Sequence, residues 1–133
     1  MIQPLPNPKL AGYGRTEKLK LKRHIDTLFA EGKSVRVGAL RLIYTPCPLP
    51  DSPIKFGVTV PKKFHRKAVH RNRIKRLLRE CYRLNKQRLL PHVGSGQLMM
   101  LVYQSADMAQ LDPLQAQMVQ LMDLWVAKQT STL

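Results

Sequence analysis

The chain has 133 residues, enough for one packed domain with a real core and too few for two. Apolar residues make up 44%, which excludes a chain too polar to fold. Against 8 Asp and Glu stand 23 Lys and Arg, a net charge of +15. Such a charge makes the compact state repel itself and points to an anionic partner, nucleic acid first and an anionic membrane surface second.

No run of about 18 apolar residues occurs, so no membrane-spanning helix is expected. Residues 1–8 hold three prolines and no apolar stretch, unlike a secretory signal, and the expected location is the cytoplasm. Cys47 and Cys81 have no metal-ligand spacing and read as reduced thiols, Cys81 as a small core residue.

Residues 1–15, rich in Pro and Gly, read as an irregular arm. A first helix is expected over 16–31. Thr16 would cap it, Leu19, Leu21, Ile25, Leu28 and Phe29 lie at helical spacing, and Gly32 would stop it. Residues 34–45 alternate loosely and predict strand, in two pieces hinged near Gly38. The four prolines of 46–53 make a loop, because proline cannot donate into a sheet. Residues 54–60 alternate at period two and predict a half-buried strand. A basic connection then leads into a long helix over 67–89, closed by Pro91 and the Gly94-Ser95-Gly96 turn. The apolar run 98–103 is too short for a helix and predicts a central strand. Asp112-Pro113 starts a last helix, with a core stripe of Leu114, Met118, Leu121, Met122 and Trp125, ending near Lys128. The expectation is a single domain over 16–128 with a tail at 129–133. Its order, αβββαβα, indicates an α+β sandwich, one sheet covered by helices.

More than half of the Lys and Arg fall within residues 62–88, where Glu80 is the only acid. At about 100° per residue, Arg71, Asn72, Lys75, Arg76, Arg79 and Arg83 share one side of the helix, with Arg73 at its edge. Ile74, Leu77, Leu78 and Cys81 take the opposite side. Lys62, Lys63, Arg66 and Lys67 extend the positive field into the preceding loop. Unpaired cations cannot be buried. A solvated charged helix normally interleaves acids at i,i+4, and here they are nearly missing. This is the pattern of a phosphate-binding face. Phe29, Tyr44 and Phe56 lie near the cationic elements and favour single-stranded RNA, whose unstacked bases pack on aromatic rings. Each of the three is as readily a core residue.

Catalytic chemistry by the polypeptide is not indicated. Glu17, Asp26, Glu31, Asp51, Glu80, Asp107, Asp112 and Asp123 are scattered, with no evident metal-binding pair. His65 and His70 sit among cations and suit phosphate contact; His24 and His92 read as surface residues. No phosphate-cradling glycine loop or nucleophile motif is present. A generic RNA- or DNA-binding module stays open on these grounds.

The string Arg71-Asn72-Arg73-Ile74-Lys75-Arg76-Leu77-Leu78-Arg79-Glu80, following a strand and the Lys62-Lys63 pair, resembles the signature of the protein subunit of bacterial ribonuclease P. Ile25-Asp26-Thr27-Leu28-Phe29 with Gly32-Lys33-Ser34 resembles that family's first helix and turn, and the resemblance runs from Leu19 to Trp125. It implies a mixed four-stranded sheet with a left-handed strand–helix–strand crossover around the signature helix, against the usual hand. It implies an endoribonuclease whose catalytic RNA subunit, with Mg2+, removes the 5′ leader from precursor tRNA. The non-catalytic protein would bind that RNA through Arg71, Asn72, Arg73, Lys75, Arg76 and Arg79. It would hold the single-stranded leader in a cleft between the first helix and the sheet, at Phe29 and Tyr44. The loop Phe64-His65-Arg66-Lys67 departs from the family's commoner Ile-Gly-Asn pattern, so no metal or other cofactor is assigned to the protein itself.

Overall fold

The computed structural model describes residues 15–131. The expected arm, save Arg15, lies outside them. A 3-10 turn at Arg15–Glu17 leads to helix α1 (Lys22–Glu31), strands β1 (Lys33–Val37), β2 (Leu40–Pro46) and β3 (Ile54–Thr59), helix α2 (Ala68–Asn85), two further 3-10 turns, strand β4 (Gln97–Tyr103) and helix α3 (Leu111–Ser131). This is the expected order of helices and strands.

The strands form one sheet in the order β1-β2-β4-β3. β1 and β2 form an antiparallel hairpin around Gly38-Ala39, with Val37 opposite Leu40. Gly38 sits at φ 55°, a left-handed conformation that costs glycine least. β2 pairs antiparallel with β4, and β3 pairs parallel with β4, so α2 is the crossover between two parallel neighbours.

Helices cover both faces. Val35, Leu42, Tyr44, Ile54, Phe56, Met99, Leu101 and Tyr103 lie beneath α2 and α3, packed on Ile74, Leu78, Tyr82, Met118, Leu121 and Trp125. Ile43, Leu98, Met100 and Val102 face the other way, onto Leu19 and Leu28. Every residue of β4 is therefore buried, which explains its uninterrupted apolar run. The stripe expected on α3 is buried at all five positions.

Three boundaries differ from expectation, each for a local reason. α1 begins at Lys22 and has no side-chain cap. The residues ahead of it lie along β3 instead. Lys18 bridges Phe56 in parallel, Leu19 N–H donates to Phe56 O at 3.1 Å, Lys55 Nζ donates to Thr16 O, and Lys86 Nζ meets Glu17 Oε1 at 2.7 Å. An edge strand with unpaired backbone groups outcompetes the helical spacing there. α2 ends at Asn85, whose Nδ2 donates to Cys81 O at 2.8 Å, because Lys86 turns inward to Glu17 and is buried. α3 starts before Asp112, which supplies a first-turn acid rather than the cap, and continues through the expected tail to Ser131. The stop at Gly32 works by space: a Cβ there would lie 2.2 Å from Leu28 O.

Leu78 is fully buried in α2 while Leu77 is only partly so. Leu78→Ala is expected to cost about 2–5 kcal/mol in urea unfolding, and Leu77→Ala markedly less. Burial, helped by the Glu80 charge, pushes the Cys81 thiol up to about 11. A thiol reagent at about pH 8 is expected to modify half-exposed Cys47 and to spare Cys81 until the protein unfolds.

Candidate nucleic-acid interface

α2 is anchored by Ile74, Leu78, Cys81 and Tyr82, all nearly inaccessible. Tyr82 stacks on Phe56 of β3, centroids 3.7 Å apart and planes 10° from parallel. With that side fixed, Asn72, Arg73, Arg76 and Arg79 are exposed, and Arg71 and Lys75 are half-buried along their stems. In the loop before α2, Lys62, Lys63, Arg66 and Lys67 are exposed, and Lys63 Nζ lies 5.1 Å from the Phe64 ring centroid. Among the described residues none of these nine cations is paired with a carboxylate. The acid of the stretch is taken elsewhere: Arg83 Nη2 and Nε donate to Glu80 at 2.5 and 3.0 Å, holding that carboxyl below its ordinary range. Arg83 thus leaves the stripe as an internally neutralised pair.

Two groups serve to shape the loop. Arg71 Nη1 donates to the carbonyls of His65 and Arg66, at 2.9 and 2.7 Å, so it clasps the loop to the first turn of α2. α2 has no side-chain cap at Lys67, and the clasp, which can only donate, fixes the loop carbonyls and leaves the first-turn N–H groups of the helix unserved. The sequence expectation that His65 meets phosphate is corrected, because the side chain is buried. Its Nε2–H donates to the Ser105 carbonyl at 2.7 Å, since a carbonyl can only accept.

The aromatic residues divide. Phe29 is 59% exposed on α1. Phe56 and Tyr44 belong to the opposite face: Phe56 is 1% exposed under Tyr82, and Tyr44 meets Trp125 edge-on at 6.1 Å. Neither ring face is open to a base between α1 and the sheet, which corrects their reading as walls of that cleft. Side chains alternate along a strand, and Tyr44 follows Leu42 while α1 sits on Ile43. Tyr44 keeps only a rim in a groove with Glu31, Lys33, Thr45 and Lys128, and burial raises its phenol pKa.

At the edge of β3 a cleft of about 420 Å³ is lined by Lys18, Leu19, Lys20, Gly57, Val58, Met100 and Arg79. Lys18 and Lys20 are site residues that sequence reasoning misses, because the helical spacing around them assigns both to the first helix. The signal that finds them is the run Lys18-Leu19-Lys20-Leu21-Lys22, which alternates at period two as extended chain does. Arg79 joins this cleft to the stripe on α2.

Among the described residues no group of three or more His, Cys, Asp or Glu is placed to hold a metal ion, and no helix is long and apolar enough to cross a membrane. A mixed sheet between helices, presenting cations without counter-charges, defines an α+β protein equipped to bind a polyanion. The family described as Ribonuclease P matches residues 13–125, and the chain belongs to that family. It is 41% identical over 88 residues to the ribonuclease P protein component of Porphyromonas gingivalis, covering 64% of this chain and 63% of that one. It is 42% identical over 76 residues to the same component of Chlorobaculum tepidum, covering 54% and 49%. The chain thus spans under two thirds of the length of these relatives. The RNase P protein of Staphylococcus aureus superposes with a TM-score of 0.67 at 19% identity, over 82% of this chain and 94% of that one. That of Thermotoga maritima gives 0.66 at 23%, over 81% and 96%. At those identities the likeness is one of fold.

Arg71→Ala is expected to cost roughly 1 kcal/mol of stability in urea unfolding, because two carbonyls are left without their donor. Arg73→Ala, which breaks no internal contact, should stay within about 0.5 kcal/mol.

Proposed function

We propose that this chain is the protein component of ribonuclease P, the endoribonuclease that removes the 5′ leader from precursor tRNA. It binds the catalytic RNA subunit and the single-stranded leader. The chemistry belongs to the RNA, which uses Mg2+, and the protein contributes no reacting group. Its contribution is electrostatic: cations screen phosphate repulsion between substrate and ribozyme, and so improve substrate and Mg2+ binding. Such work takes place in the cytoplasm, where precursor tRNA is made.

The observation that carries this reading is the cationic face of α2, whose Arg73, Lys75, Arg76 and Arg79 have no acidic partner within the described protein. Holding like charges together without counter-ions destabilises the free protein, and a polyphosphate relieves it. Family membership selects the polyanion. Exposed Phe29 on α1 offers a stacking surface to an unpaired base.

The deciding experiment is reconstitution with the cognate RNA subunit on precursor tRNA. The protein alone is expected to cut nothing, and to restore cleavage by the RNA at low Mg2+. Failure to stimulate that RNA would leave only a generic nucleic-acid-binding module. In the reconstituted system, Arg73→Ala with Arg76→Ala is expected to flatten the dependence of log K on log salt, by about 0.7–0.9 for each phosphate no longer neutralised. An unchanged slope means that these arginines do not face RNA.

A further inference from the structure

The loop between β3 and α2 carries an aromatic ring that neither the core nor the cationic stripe accounts for. Of the three phenylalanines, Phe56 is buried under Tyr82 and Phe29 stands on α1. Phe64 is half-buried and belongs to neither hydrophobic cluster of the described residues. Lys62 and Lys63 before it are exposed, as are Arg66 and Lys67 behind it. The backbone around the ring is pinned. Phe64 N–H donates to Pro61 O at 3.1 Å, and His65 N–H to the same carbonyl at 3.4 Å. The buried His65 side chain reaches Ser105 O, and Arg71 holds the carbonyls of His65 and Arg66. Polar contacts of the neighbouring groups therefore set where the ring stands, without its entering either cluster.

Aromatic surface left in water is unfavourable. Held still among cations, it offers what an unpaired nucleotide needs: a flat face for the base and positive groups for the flanking phosphates. Lys63 Nζ, 5.1 Å from the ring centroid, is placed to serve both. An exposed ammonium holds a ring more weakly than a stacked base does, so a base takes the ring and Lys63 turns to the adjoining phosphate. Because the loop is fixed beforehand, little freedom is lost on binding. The side of the sheet is that of α2. The His65 ring lies 6.0 Å from the ring of Tyr103, which belongs to the cluster beneath α2 and α3, so the loop closes over that side. Val69, 74% exposed in the first turn of α2, lies one turn before Asn72 and Arg73 and adds a second apolar spot at the head of the stripe.

We infer that Phe64 is a stacking platform for an unpaired nucleotide of the RNA lying along α2, with the base on the ring and the phosphates on Lys62, Lys63 and Arg66. The nucleotide belongs to the catalytic RNA or to the tRNA body of the substrate. The inference rests on the ribonuclease P role. It adds a contact made through the face of a base, beside those made through charge.

The test compares the wild-type protein with Phe64→Leu, which keeps apolar bulk and removes the aromatic face, and with Phe64→Trp, which keeps the face. Phe64→Leu is expected to weaken RNA binding about tenfold at every salt concentration. The slope of log K on log salt should not change, because stacking releases no counter-ions; Lys63→Gln should flatten it. Phe64→Trp should bind as the wild type does, and RNA should quench its added emission. Wild-type emission, which comes from buried Trp125 alone, should stay constant. Two titrations separate the sources. Loss in binding of Phe64→Leu to the RNA subunit alone places the nucleotide there. Loss only when holoenzyme binds precursor tRNA, equal with and without a leader, places it in the tRNA body. A loss confined to leader-bearing substrate overturns the platform. So does an unquenched Phe64→Trp, and with it a lower thermal midpoint for Phe64→Leu would mark the ring as structural. Normal stimulation of the RNA by an indifferent Phe64→Leu sinks the platform alone, whereas a wild-type protein that fails to stimulate the RNA sinks the role beneath it.

Discussion

The stack of Tyr82 on Phe56, with Ile74, Leu78 and Cys81 around it, is the contact on which the cationic surface depends. It fixes the rotation of α2 about its own axis. Since 3.6 residues make a turn, fixing one side of a helix fixes the other. Arg73, Arg76 and Arg79 are outside because the hydrocarbon residues between them have somewhere to go. Fully burying a side chain of Leu or Ile size yields about 1.5–3 kcal/mol. A handful of such residues on one helix outweighs the repulsion among the cations on its outer side, where solvent screens it. The sheet thus does for this surface what acidic neighbours do for an ordinary charged helix. It leaves the positive charge unneutralised.

How much of this is legible in the sequence depends on the kind of signal. α2 and α3 are readable because each carries one dominant period over many residues, and β4 because its unbroken apolar run is too short for a helix. The placement of the cations on α2 is readable for the same reason. The start of α1 is not. Leu19, Leu21 and Ile25 fit a helix by spacing, but the open edge of β3 recruits the chain around Lys18 into extended pairing. That competitor lies 38 residues away in sequence, where no local window sees it. The aromatic residues are misleading for another reason. Both faces of the sheet are covered, so alternation groups the residues within β2 and within β3 without saying which helix covers each group; only the register, with Tyr44 and Phe56 both opposite Met99, puts the two on one face.

Arg71 and His65 teach a related lesson about residue type. Both stand in a basic stretch, where sequence alone points them at phosphate. The structure uses them to hold the loop from residue 61 to 67 in shape, one by donating to two carbonyls and the other by reaching across to Ser105. A helix that begins without a capping side chain leaves its approach segment unsupported, and a long donor nearby is drawn into that work. The residues ahead of α2 and its first turn therefore mix two duties. The exposed side chains set the field, and the inward ones set where that field is.

The two borders of the sheet are closed to intruding strands by unlike means. At β3 the molecule lays its own backbone alongside, from Lys18 to Leu19, and locks it with the buried ammonium of Lys86. At β1 nothing comparable lies alongside among the described elements, and the guard is electrical: Lys33 and Arg36 make the approach of a second, equally positive copy unfavourable. A guard of that sort is only as strong as the scarcity of counter-ions in the solvent allows. Concentrated salt, by screening these charges, lowers the barrier to self-association at this border and leaves the backbone-covered one far less affected.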